Sequence, residues 1–257
     1  VEAHGDLFRA KGMYQERFDF ARRSRLPDLE LESVAAWSRL AAIGGDHVAA
    51  LRVVAQGLPE ARQSGRIDIV LRLLLVRARS YVETDRRELA EQEMQAIRVE
   101  AESLGYLGQL AYTLSGLAAM AIEAGRWAEA VSYGRQASSL AERLGNDLVL
   151  GHTLGLMASG ETRQGLFKEA VQHAERSVTV LRRLPPSDSL ALAVAYLAEA
   201  YLSSGELALG KRHFDESLRI AEELGMTQWK ESIQRELGTM IEERERKARE
   251  GTSGQPA

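Results

Sequence analysis

Few residues of this chain have types and spacings that could do chemistry. Gly205-Glu-Leu-Ala-Leu-Gly210-Lys211-Arg212 has the outline of a phosphate loop, G-x-x-x-x-G-K-[ST]. That loop cradles phosphates on backbone N–H groups and needs a strand before it and a hydroxyl at its end. Here a helical pattern precedes Gly205 and Arg212 replaces the hydroxyl, so both requirements fail. The histidines are His4, His47, His152, His173 and His213, and none has a partner at ligand spacing on one helix, so no metal site is expected. His173 and His213 sit forty residues apart at a place expected to face outward. Glu222-Glu223 and Glu242-Glu243 are adjacent in sequence, so they diverge on a helix and read as solvated faces. There is no Gly-x-Ser-x-Gly elbow and no cysteine to pair with a histidine. The chain reads as a non-enzyme with no cofactor.

Composition narrows the field further. The 257 residues are 45% hydrophobic, enough for a continuous core, and carry a net charge of −4. That balance lacks the basic footprint of a nucleic-acid binder, so no direct nucleic-acid contact is expected. The absence of cysteine fits a reducing compartment, and a cytoplasmic location is expected. No apolar run of about 18 residues exists to span a membrane, and the charged first thirty residues do not read as a signal peptide. Arginine far outnumbers lysine, a bias that points to a GC-rich bacterial source.

The elements that must position any site are helices. In residues 110–145, Leu110, Leu114, Leu117, Ala121 and Ile122 form one helical stripe, and Gly125 breaks it. Trp127, Ala130, Val131, Ala137, Leu140, Ala141 and Leu144 form a second, broken by Gly145. Glycine just past a last turn takes the left-handed conformation without a Cβ penalty. The pattern returns every forty residues: Gly5, Gly45, Asp85, Gly125, Gly165 and Gly205 mark the turn inside a hairpin, and Arg25, Gly65, Gly105, Gly145, Pro185 and Gly225 the exit from it. Three columns stay small: Ser38, Ala78, Ala118, Ala158, Ala198, Gly238; then Ala10, Ala50, Ala90, Ala130, Ala170, Gly210; then Ala21, Ala61, Ala101, Ala141, Leu181, Ala221. Small residues at fixed places let helix axes approach closely.

The predicted hairpins are 29–65, 67–105, 107–145, 148–185 and 189–225, after a half repeat at 5–25. Ser187 or Asp188 caps the helix after Pro185-Pro186. A capping helix is expected at 227–248, its stripe Trp229, Ile233, Leu237, Met240 and Ile241, and a disordered polar tail at 251–257, making 1–250 a single solenoid. The start at Val1 and the position of Gly5 suggest a fragment whose first helix is missing. Glu161 shares a column with Ala41, Tyr81, Ala121, Tyr201 and Ile241, and is expected to reach solvent at the groove edge rather than find a buried partner.

Val194-x2-Leu197-Ala198-x2-Tyr201 followed by Gly210-x3-Phe214, and Leu154-x2-Met157-Ala158 followed by Ala170, resemble the tetratricopeptide repeat, W-x2-L-G-x2-Y then A-x3-F. The resemblance covers residues 5–245 and departs from the usual unit of about 34 residues, the added length falling in both helices. It implies an all-α solenoid, a right-handed superhelix of antiparallel hairpins. It also implies that the first helix of each hairpin lines a concave groove. Carried over, the inward residues are Arg39; Arg72, Leu75 and Arg79; Tyr112, Ser115, Ile122 and Glu123; His152, Ser159 and Arg163; Tyr196 and Glu199. Arg39, Arg72, Arg79, Tyr112, His152, Arg163, Tyr196 and Glu199 are the candidate partner-binding residues. Arginine can hold a carboxylate with two parallel bonds, so a partner with acidic and apolar groups is expected. The Lys/Asn clamp of chaperone-tail binders is replaced by Ala35, Arg39, Val76 and Tyr112.

Two functions fit. One is a non-catalytic scaffold that binds a protein or peptide, as part of a larger bacterial protein. The other is the ligand-sensing domain of a large bacterial transcription regulator, responding to a small-molecule, peptide or protein effector. Exits such as Ala141-Glu142-Arg143-Leu144-Gly145 resemble the C-terminal arrays of such regulators.

Overall fold

The computed structural model describes residues 2–252, with side chains described for 12–247 and 249. Its described residues form helices α1 (Glu2–Arg23), α2 (Pro27–Ile43), α3 (His47–Gln63), α4 (Ile67–Glu83), α5 (Arg87–Ser103), α6 (Leu107–Glu123), α7 (Trp127–Leu144), α8 (Asp147–Arg163), α9 (Phe167–Leu181), α10 (Asp188–Ser204), α11 (Leu207–Glu223) and α12 (Thr227–Thr252). The fold is all-α, an array of antiparallel hairpins. It divides into two compact units, Val1–Thr113 and Leu114–Ala257, the boundary falling inside α6.

The turns explain the register. Positive φ occurs at Arg25, Gly45, Gly65, Asp85, Gly105, Gly125, Gly145, Gly165, Gly205 and Gly225, one residue in twenty. A helix of 17 residues, such as α2 or α8, and three turn residues make up that interval. The added length over the usual repeat therefore lies in the helices. Each turn closes the same way: Gly125 N–H donates to the Ile122 carbonyl at 3.0 Å and Arg126 N–H to Ala121 at 2.8 Å. These are the two bonds of a left-handed helix terminus, and they satisfy carbonyls that the helix leaves open.

Position 185 breaks the series because proline fixes φ near −65°. Accordingly α9 stops at Leu181, and the chain re-enters a helix with the Ser187 hydroxyl accepting from Leu190 N–H at 3.4 Å. At the other end α1 runs unbroken through Gly5, so the turn expected there is not made. Likewise α12 continues beyond 248 to Thr252, taking in the first two residues of the expected tail; 253–257 lie outside the described residues.

In each unit the small columns form the close helix contacts. Ala50, Ala61, Ala78, Ala90 and Ala101 in the first unit, and Ala118, Ala130, Ala141, Ala158, Ala170 and Ala198 in the second, have no exposed surface. Where Leu181 replaces alanine, Gly151 faces it; a Cβ there would lie 2.4 Å from Leu181 Cγ. In the second unit α12 closes the array. Leu237 and Ile241 pack with Ala195, Ala198 and Leu202, flanked by Trp229, Ile233 and Met240. That is the stripe expected of a capping helix.

Candidate partner-binding walls

The first helices of the hairpins carry every candidate residue, and each unit presents its own set. In the first unit Arg72 is held from within. Its Nη2 donates to both oxygens of Glu32, at 3.0 Å each, and to Asp68 Oδ2 at 3.2 Å. Arg66 joins the cluster, donating to Asp28, Glu32 and Asp68 at 2.9 Å. The Arg72 hydrogen bond holds the Glu32 carboxyl below its usual range, and the Arg66 hydrogen bond does the same for Asp68. Glu32 and Arg72 are one period apart, so the pair ties α2 to α4 and leaves Arg72 less available to a partner. Arg39 and Arg79, also one period apart, are exposed, and Tyr112 is 44% exposed.

In the second unit the structure brings His152, Arg163, Tyr196 and Glu199 onto one wall of α8 and α10. Along α8 the wall reads His152, Gly155, Ser159 and Arg163, residues three or four apart that share a face. Gly155 leaves room for the Tyr196 ring, whose Cδ2 lies 3.3 Å from where a glycine Cβ would stand. Arg163 Nη2 reaches Glu199 Oε1 at 2.8 Å and Glu236 Oε1 of α12 at 3.1 Å, and its guanidinium lies 6.0 Å from the Trp127 ring centre. The pair with Glu236 thus spans from α8 to α12. Burial raises the Glu199 carboxyl above its ordinary range against the pull of Arg163. Burial, then Glu199, Glu123 and Glu236, raise the Tyr196 phenol.

His152 joins a short hydroxyl chain: Thr153 donates to Ser115 Oγ at 3.0 Å, and Ser115 Oγ is hydrogen-bonded to His152 Nδ1 at 3.1 Å. Burial lowers the His152 pKa below its ordinary value, which favours the neutral ring. A serine–histidine contact could suggest acyl transfer. However, Ser115 is only 4% exposed and sits mid-helix, where backbone N–H groups are committed to the helix and supply no oxyanion site.

Three other expectations meet different outcomes. Glu161 does not reach solvent: it is 1% exposed and accepts from His173 Nδ1 at 2.7 Å. His173 therefore turns toward the α8–α9 contact instead of outward, and His213 stacks on Tyr201 with ring centres 5.6 Å apart. The burial cost of the carboxylate is met by that hydrogen bond. In the would-be phosphate loop, Gly205 makes a turn at φ 97°, a Cβ on Gly210 would meet Leu202 at 2.6 Å, and Lys211 pairs with Glu245.

Two residues of the second wall escaped the sequence reading. Glu236 is one period beyond Tyr196, so the repeat register could have found it. Trp127 starts a second helix and read as core, with no local signal that an arginine covers it.

Paired helices, left-handed turns every twenty residues and first-helix walls define an α-solenoid of the tetratricopeptide type. Residues 109–183 match the family model described as tetratricopeptide repeat. No curated protein sequence matches the chain. Among solved structures, BtubC (BKLC) from P. vanneervenii superposes with a TM-score of 0.68 at 16% identity, covering 85% of this chain and 92% of that one. A STAND signal-transduction ATPase with a tetratricopeptide repeat sensor, from Pyrococcus horikoshii, gives 0.63 at 13% identity, covering 82% of this chain and 33% of that one. NprR in complex with its cognate peptide NprX gives 0.60 at 14% identity, covering 99% and 82%. At these identities the likeness is one of fold. Among the described residues no helix is long and apolar enough to cross a membrane.

Proposed function

We propose that the chain is a non-catalytic scaffold that binds a protein or peptide segment on its first-helix walls, with His152, Arg163, Tyr196 and Glu199 as the principal contacts and Arg39, Arg79 and Tyr112 as a further set. The observation that carries this is the character of the second-unit wall. It buries Glu199 and Ser159 to 6% and 4% exposure beside the partly exposed Arg163. Packing alone favours apolar residues there, because buried polar groups cost free energy unless paired. Ionisable groups perturbed by burial together with a charge partner cluster at functional sites. NprR, similar in fold, was crystallised with a peptide.

The test is selection of peptides from a random display library on the wild-type chain, followed by titration against a folded His152→Ala/Tyr196→Ala variant. Selected peptides should bind the variant at least tenfold more weakly, about 1.4 kcal/mol. Equal affinity would move the site to the outer face or hairpin edges.

A second reading is an effector-sensing region of a bacterial regulator, cytoplasmic and part of a longer protein. It rests on the match of most of this chain to one third of the STAND protein. The complete open reading frame distinguishes the two, since a nucleotide-switch module would be visible in it.

A further inference from the structure

We propose that the exposed face of α7 carries a separate small-molecule site, which takes an apolar carboxylate with an adjoining amide, the chemistry of an N-acylated apolar amino acid. The site lies within the second unit, shares no residue with the α8–α10 wall, and does not rest on the peptide-binding reading.

A cavity is the first observation. It holds about 380 Å³ between one face of α7 and the α8–α9 turn. Ligand cavities span roughly 300–1,000 Å³, so this one suits a small molecule. Ala128, Val131 and Leu166 supply its apolar lining. Gly160 lets α8 close on Val131, since a Cβ there would lie 3.0 Å from Val131 Cγ2. The repeat explains why the cavity is here. Ala128 and Ser132 stand one turn apart on α7, and both line it. The same two columns hold Val48 and Arg52 in α3, Glu88 and Gln92 in α5, Lys168 and Gln172 in α9, and Ala208 and Arg212 in α11. Of these second helices α7 alone keeps both places small, so side-chain volume is withdrawn from this face.

The charge changes in the same repeat. Arg135 lines the cavity, where its column elsewhere holds Ala55, Gln95, Glu175 and Asp215. No Asp or Glu is in the lining. Arg135 is exposed, and among the described residues its guanidinium has no ion pair or hydrogen bond. Glu169 follows it by 34 residues, the interval at which Arg176 meets Glu142, Arg182 meets Glu216 and Lys211 meets Glu245, yet among the described residues Arg135 and Glu169 form no ion pair. A guanidinium without a carboxylate beside it favours an anion, and its planar fork matches a carboxylate.

The amides supply the third requirement. Gln136 Nε2 donates to the Ser132 carbonyl at 3.4 Å, and Gln164 Nε2 to the Gly160 carbonyl at 3.1 Å. Each side chain spends a donor on its own helix and keeps its oxygen to accept. A ligand that uses them has an N–H to give next to its carboxylate, with an apolar body for Val131 and Leu166.

The experiment is titration of the chain with N-acetyl-leucine, followed by backbone amide NMR. Saturable shifts should fall on residues 128–136 and 164–166. N-acetyl-leucine amide, which lacks the carboxylate, should bind about tenfold more weakly. Arg135→Gln and Ser132→Gln should each weaken N-acetyl-leucine by a similar factor. Both positions are exposed, and Ser132→Gln installs the residue that α5 and α9 already carry in that column, so the fold is kept. Shifts elsewhere, equal binding of the acid and its amide, or indifference to both variants overturns the proposal. So does weaker binding in Glu169→Gln, which would mean that the ligand presents a cation. Absence of saturable shifts up to about 10 mM, some 2.7 kcal/mol of affinity, also overturns it. An acetylated Ala-Ala-Leu peptide that binds over about tenfold more tightly than N-acetyl-leucine would overturn a small molecule as the occupant. None of these outcomes bears on the library selection, which judges the α8–α10 wall separately.

Discussion

Arg25 and Asp85 adopt φ of 57° and 58°, where the other turns of the series use glycine. A side chain in the left-handed region costs roughly 1–2 kcal/mol, partly offset because glycine loses more entropy on folding. Asp85→Gly should therefore stabilise the first unit by about 0.5–1 kcal/mol, read as a shift in the urea midpoint at unchanged slope. His152 carries a pH prediction. Its folded pKa lies below the ordinary 6.5 because burial disfavours the charged ring. The unfolded chain then binds the proton first, and stability falls as pH drops from 6.5 toward the folded value. Urea melts at pH 7.5 and 5.0 should show this loss, and His152→Gln should reduce it.

At the scale of elements, helix spacing is set by pairs of residues, one of which yields where the other grows. Gly151 against Leu181 is such a pair; the next repeat holds Ala191 and Ala221 in the same columns. Gly151→Ala should cost about 1–3 kcal/mol, since Leu181 has no exposed surface into which to retreat. In a Leu181→Ala background the same change should cost little, giving a coupling energy above about 1 kcal/mol in a double-mutant cycle. Ala130→Leu, at a position of zero exposure, should cost a similar 1–3 kcal/mol with no partner substitution to rescue it. Second helices, and α11 with the capping helix α12, are also laced by ion pairs 34 residues apart: Arg176 with Glu142, Arg182 with Glu216, Lys211 with Glu245. These are mostly exposed and contribute little each; their constant interval records the register rather than holding it.

At the scale of the molecule, a solenoid has no central core, so each end must be closed by an element with one polar face. In the second unit α12 does this, burying Leu237 and Ile241 to 3% and 8% exposure while Glu231 and Arg235 stay in solvent. Removing α12 by ending the chain at 226 uncovers Leu202 and Ala198. Burial of a leucine or isoleucine stabilises by about 1.5–3 kcal/mol, so the truncated chain should lose several kcal/mol and self-associate, read by denaturant melts and sedimentation.

The sequence by itself determined the helices, their turns and the small columns. Those features depend on local backbone preference and on a period that repeats along the chain, as the positive φ at Gly45, Asp85 and Gly125 shows. The resemblance to the repeat family carried His152, Arg163, Tyr196 and Glu199 onto first-helix columns expected to face inward, and the structure places all four on α8 and α10. Only the tertiary structure decided what those side chains meet. Whether Arg163 is open to a partner depends on Glu236, seventy-three residues away, and whether Glu161 is solvated depends on His173 on the neighbouring helix. Partnership and desolvation are set by distances across helices, and no repeat period encodes them.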